Sequence, residues 1–170
     1  LFKRTVRETA MRHEIYATFM AKPMEHEPGS SMHWHISLRR TSDGSNAFSN
    51  PDGSESELFR QFIGGIQKYG PDATLLSAPY VNSYRRFTRH LSAPINLQWG
   101  YDNRTVGLRV PHSDPDNRRI ENRLAGAGVN PDLAIAASRA CGLLSLEERL
   151  QPDAPEAGSA YQRPFALPGS

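Results

Sequence analysis

Met32-His33-Trp34-His35-Ile36-Ser37-Leu38 alternates strictly between apolar and polar side chains. A period of two marks a half-buried strand, because successive residues of an extended chain point to opposite faces. A strand is therefore expected over Ser31 to Leu38, with Met32, Trp34, Ile36 and Leu38 on the core face and His33, His35 and Ser37 on the other. Neutral imidazoles bind divalent metals, and protonated ones donate to phosphate. Two partly exposed histidines at a sheet edge would give the same pattern. No zinc-finger or metalloprotease spacing follows them.

Downstream, Arg118-Arg119-Ile120-Glu121-Asn122-Arg123 reads as a second extended segment. If it is extended, Arg119, Glu121 and Arg123 share one face. Arg85-Arg86 follows Asn82-Ser83-Tyr84, and Arg104 and Arg109 bracket a further strand. The planar arginine fork suits carboxylate and phosphate. A carboxylate amid arginines also closes an ion-pair network, so both readings stand on the residues alone.

The rest of the chain supplies the frame. Leu1 to His13 reads as an amphipathic helix, and Ile15 to Lys22 as a strand with Ile15, Ala17, Phe19 and Ala21 on one face. Arg39 to Ser54 is a polar loop without a phosphate-loop pattern. Glu57 to Tyr69 has helical spacing, capped by Ser54 or Ser56 and interrupted by Gly64-Gly65. A short element falls in Pro71 to Pro79. Ile95 to Tyr101 and Thr105 to Val110 read as strands joined by a turn at Asp102-Asn103, and Asn130-Pro131 starts a helix reaching about Leu150. The elements do not repeat as β-α-β units, so the class is α+β.

With 170 residues, 38% apolar and 22% charged, the chain suits one globular domain. A net charge of +2, with arginines interspersed among carboxylates, does not point to nucleic acid. No stretch approaches a membrane span, and no signal peptide is visible, so a cytoplasmic setting is expected. Cys141 is the lone cysteine and reads as a buried thiol.

Five ordered segments carry a family resemblance. They are Ala17 to Pro23 with Gly29 to Leu38, then Asn82 to Arg86, Asn103 to Pro111, Arg118 to Arg123, and Gly126 to Leu144. Together they resemble the catalytic domain of glutamine synthetases over essentially the whole chain. The resemblance implies part of that domain, an antiparallel sheet with packed helices, and a two-step ligase. ATP phosphorylates the γ-carboxylate of glutamate, then an amine attacks the acyl phosphate. It implies Mg2+ or Mn2+ held by His33 and Glu121, and nucleotide phosphates contacted by His35 and Arg119. Arg104 and Arg109 would neutralise ATP phosphates and the intermediate. Arg86 and the Gly29 backbone would hold glutamate, and Arg123 its carboxylate or the intermediate.

Two departures redirect the acceptor. Pro28 stands where ammonia-using members carry an asparagine, and Ser92 stands where they carry a glutamate that binds and deprotonates ammonium. Serine cannot act as a carboxylate at neutral pH. Ala78 to Tyr84, Ser92 to Leu97 and Asn103 to Leu108 resemble the γ-glutamylpolyamine synthetase branch, which implies an organic amine. The alternatives are a glutamine synthetase using ammonia, and a non-catalytic structural or binding relative. The resemblance further implies that residues 1–170 form the central part of the domain. An amino-terminal β-grasp domain, upstream metal-carboxylate strands and carboxy-terminal helices would lie outside it. The isolated piece is then expected to be inactive, and the longer parent to form rings of identical subunits.

Overall fold

The computed structural model describes residues 1–88, 93–163 and 167. In chain order they form α1 (Phe2–Arg12), β1 (Trp34–Ile36), α2 (Glu57–Tyr69), α3 (Thr74–Ser77), α4 (Val81–Tyr84), β2 (Trp99–Tyr101), β3 (Leu108–Val110), β4 (Ile120–Asn122) and α5 (Pro131–Glu148). Short 3-10 turns lie at Pro115–Asn117 and Ala160–Gln162. The class is α+β, as expected. No helix among the described residues is long and apolar enough to cross a membrane.

The strands lie in the order β1-β4-β3-β2. β4 is antiparallel to both neighbours, whereas β2 runs parallel to β3. The sheet is thus mixed rather than wholly antiparallel, and the expected turn between β2 and β3 is not a hairpin. Asn103 organises the connection. Its Oδ1 accepts from Thr105 N at 3.0 Å, and its Nδ2 donates to the carbonyls of Glu156 and Gly158 at 2.9 and 2.7 Å. Those bonds tie the link to the carboxy-terminal loop, and the chain re-enters the sheet in the same direction.

The strands are shorter than the alternation implied. Ser31 contributes only an isolated bridge to Gly126 ahead of β1. Residues 15–22 form no strand. Alternation alone cannot make one, and no neighbouring strand among the described residues takes up their main-chain hydrogen bonds.

The core lies on the face of the sheet bearing Trp34, Ile36, Trp99, Leu108 and Ile120, covered by Phe48 and the α2 residues Phe59, Phe62, Ile63 and Ile66. Phe48 meets Phe59 and Phe62 edge-on, with ring centroids 5.5 Å apart in each case. Each such side chain stabilises the fold by about 1.5–3 kcal/mol. Ser56, not Ser54, caps α2, its hydroxyl accepting from Phe59 N. Asn130 caps α5 by accepting from Asp132 N and Leu133 N.

α2 runs unbroken through Gly64-Gly65. Those glycines serve close approach, not interruption. A Cβ on Gly65 would lie 2.2 Å from the Cys141 carbonyl oxygen, and one on Gly142 would lie 2.4 Å from the Phe62 ring. α5 accordingly turns a small-residue face inward, with Ala134, Ser138, Cys141, Gly142 and Ser145 buried. Burial raises the Cys141 thiol, as expected for an inert cysteine.

Candidate active site

Register decides what meets what on the other face of the sheet. His35 stands opposite Glu121, Glu121 opposite Arg109, and Arg109 opposite Gly100. One row across the sheet therefore carries an imidazole, a carboxylate and a guanidinium.

Glu121 is the hub, and its side chain is only 6% exposed. Its Oε2 accepts from Arg109 Nη1 at 2.8 Å and its Oε1 from Arg123 Nη1 at 3.0 Å. His33 Nδ1 lies 3.1 Å from the same Oε1. Burial pushes the Glu121 carboxyl up, but the Arg109 hydrogen bond and the charges of Arg123 and His33 outweigh it and hold it below the usual carboxylate range. His33 is pushed down by burial and by the charge of Arg123, against the pull of Glu121. At neutral pH the pair is a carboxylate beside a neutral imidazole, the state in which both donate to a cation.

The spacing suits a divalent metal. Neighbouring ligands of an octahedral ion with bonds of 2.0–2.1 Å lie about 3.0 Å apart. The His33–Glu121 separation of 3.1 Å fits that spacing as half of a donor set, while no group of three metal-binding side chains occurs among the described residues.

Around the hub the arginines divide by task. Arg109 Nη2 donates to Asp102 Oδ1 at 2.6 Å, so its guanidinium spans two carboxylates. Asp102 adopts a left-handed backbone, φ 46°, which aspartate tolerates better than most residues. The His112 N–H and then the Arg109 hydrogen bond hold the Asp102 carboxyl below its ordinary value. Arg119 Nε donates to His35 Nδ1 at 3.2 Å, which leaves Nε2 of a neutral His35 as the protonated nitrogen. Arg118 faces the opposite way, donating to Ser49 Oγ and to the carbonyls of Gly53 and Ser54 at 2.6, 3.0 and 2.9 Å. The two adjacent arginines are thus split between site and scaffold, as period-two alternation requires.

Arg86 is 1% exposed. It donates from Nη1 to the Leu124 carbonyl at 2.9 Å and from Nη2 to Ser31 Oγ at 2.7 Å. Its Nε is buried without a partner, as are Nε of Arg109 and Arg123. Burial first, and then the charge of Arg123, pushes Arg86 down to about 10. Gly29 lies against it, since a Cβ there would come within 2.7 Å of Arg86 Cγ. Arg104 is exposed and has no hydrogen-bond or salt-bridge partner among the described residues.

The structure thus joins His33, Glu121, Arg109 and Arg123 directly, and pairs His35 with Arg119 and Arg86 with the Gly29 segment. It does not bring Arg104 into contact with them. Ser92 lies outside the described residues. Sequence reasoning missed Asp102, which resembled a turn residue beside Asn103, and Ser31, whose only signal was sharing a face with His33 and His35. A cavity of about 610 Å³ between residues 40–53 and Pro115–Asp116 shares no lining residue with this site.

Comparison with known proteins converges on the same segments. A family model described as the glutamine synthetase catalytic domain matches residues 1–168. A gamma-glutamylputrescine synthetase of Escherichia coli K12 is 45% identical over 148 residues, covering 87% of this chain and 31% of the relative. A glutamate–isopropylamine ligase of a Pseudomonas species is 40% identical, covering 94% of this chain and 35% of its own. A glutamine synthetase of Thermococcus kodakarensis is also 40% identical, covering 95% and 36%. The chain therefore spans about a third of the length of the curated relatives it matches. With the catalytic-domain match running almost end to end, the chain belongs to the glutamine synthetase family.

Proposed function

We propose that this chain forms part of an ATP-dependent ligase that joins the γ-carboxylate of glutamate to an organic amine. The observation that carries the reading is the Glu121 hub, a carboxylate and a neutral imidazole at metal-ligand spacing, bounded by Arg109 and Arg123. A ligase that activates a carboxylate with ATP must bring several negative charges together. Preorganised cations in a buried site lower the energy of that arrangement.

In the proposed reaction, a γ-carboxylate oxygen of glutamate attacks the terminal phosphorus of ATP and ADP leaves. The amine nitrogen then attacks the acyl carbon, inorganic phosphate leaves, and the nitrogen loses a proton. His33 and Glu121 would hold Mg2+ or Mn2+, which when bound offsets charge on the phosphates. Arg109 and Arg123 hold the transferring group and the intermediate. Arg104 and Arg119 take ATP phosphates, and His35 donates from Nε2. Arg86 and Gly29 receive glutamate.

Ser92 supports an organic acceptor over ammonium, because it lacks the carboxylate that binds and deprotonates ammonium, and Pro28 departs from ammonia-using members by lacking the carboxamide they direct at glutamate. Relatives named for putrescine and isopropylamine ligation agree with that preference. The relative named a glutamine synthetase keeps ammonium as the competing acceptor. We further propose a ring-forming homo-oligomer in the cytoplasm, with further domains completing the metal site. The test offers full-length protein an equimolar mixture of ammonium, putrescine, isopropylamine and ethanolamine with ATP and glutamate, and identifies products by mass. γ-Glutamyl amides of organic amines are expected. Glutamine alone would move the assignment to ammonia, and no amide at all would make the protein a non-catalytic relative.

A further inference from the structure

Three outward-facing residues of one extended segment each reach a different partner of the site. His35 accepts from Arg119, and His33 lies against Glu121 and Arg123. The next residue on that face toward the amino terminus is Ser31, whose Oγ accepts from Arg86 Nη2 at 2.7 Å. Arg86 is a buried cation with no carboxylate partner among the described residues. Its Nη1 is committed to the Leu124 carbonyl. The Nε–Nη2 edge of a guanidinium is one of the two forks that take a carboxylate through paired hydrogen bonds. Here Nε has no partner, and Ser31 is the only described group bonded to Nη2.

Ser31 is itself held in place. It bridges Gly126, while Met32 N donates to the Ala125 carbonyl at 2.9 Å and Ala127 N to the Ser30 carbonyl at 2.9 Å. The stem of Arg86 is walled by Gly29 and Gly126, where an added Cβ would come within 2.7 Å of Arg86 Cγ and of Ala21 Cβ respectively. The stem is confined by backbone and one amino group by a carbonyl. The Ser31 hydroxyl holds the other amino group, and so fixes the orientation of a buried edge whose Nε has no partner.

We propose that Ser31 is a positioning residue for glutamate recognition, its hydroxyl fixing the Nη2 end of Arg86 so that the Nε–Nη2 edge meets the substrate carboxylate. The inference rests on the glutamate-ligase reading. A nitrogen with two protons gives one to Ser31 and keeps one for the substrate, so the serine orients the fork without occupying it. Ser31 does not touch the reacting atoms, and its loss weakens substrate binding rather than the chemical steps.

The test uses full-length protein with Ser31→Ala and Ser31→Thr. Expected for Ser31→Ala is a KM for glutamate raised about tenfold, the usual worth of one hydrogen bond to a charged group. kcat and the KM for ATP should stay within about twofold, and Ser31→Thr should restore the glutamate KM. Unchanged glutamate KM in Ser31→Ala, or kcat falling in step with no rescue by threonine, overturns the proposal. Calorimetric titration with glutamate separates the two levels. A wild type that binds glutamate tighter than Ser31→Ala but makes no amide upholds Ser31 and removes the ligase reading. Equal affinities, or no binding by wild type, overturn the Ser31 proposal.

Discussion

Glu121 shows how a residue's neighbours define its chemistry. Its carboxylate is buried between two guanidiniums and an imidazole, so removing the charge leaves the buried Arg123 without a carboxylate partner and Arg109 with Asp102 alone. Glu121→Gln is expected to destabilise the fold by about 3 kcal/mol, read as a lower midpoint in urea unfolding with an unchanged slope. Tyr101 makes a different kind of prediction. Burial, with the hydroxyl donating to Glu55 at 2.5 Å, pushes it up to about 12. The folded chain keeps a proton that the unfolded chain loses near pH 10, so this contribution is complete below pH 10 and disappears as the pH rises through 12. Ultraviolet titration should show a tyrosine ionising near pH 12 that is missing in Tyr101→Phe. At this scale the sequence already placed Arg119, Glu121 and Arg123 on one face, because alternation is local. It could not show Asp102 beside Arg109 or Ser31 beside Arg86, which depend on how distant segments meet.

Helix α2 and helix α5 show where element-level reasoning succeeds and where it stops. The capping residues Ser56 and Asn130 and the helical spacing are local properties, and both helices begin where those residues lie. Gly64-Gly65 reads as an interruption by propensity, which counts only the helix's own entropy. The structure shows the other side of that balance, a crossing too close for any Cβ at Gly65 or Gly142. Gly65→Ala should therefore lower stability by about 1–3 kcal/mol in thermal or urea unfolding, even though alanine is the better helix former. A stabilised Gly65→Ala would mean that the helices do not cross this closely. Strand pairing was the least legible feature. The segment at 15–22 carries Ile15, Ala17, Phe19 and Ala21 on one face, but Tyr16 and Met20 blur the alternation, and of the two segments only β1 has a neighbouring strand among the described residues. The parallel pairing of β2 with β3 is accompanied by the Asn103 clamp, which joins residues more than fifty positions apart.

For the whole molecule, the α+β class and the family are written in ordered motifs that the sheet gathers onto one face. The register row from His35 through Glu121 to Arg109 turns scattered residues into one charged surface, with the hydrophobic core directly behind it. In the proposed ligase this surface would serve to activate the γ-carboxylate of glutamate as an acyl phosphate. The measurement to make is an isotope transfer, with full-length protein supplied with ATP, an organic amine and glutamate labelled with oxygen-18 in its γ-carboxylate. Mass analysis of the released phosphate should find one labelled oxygen per turnover, carried over when the amine displaces phosphate from the acyl carbon. Amide formed with unlabelled phosphate would rule out an acyl phosphate on the path to the amide.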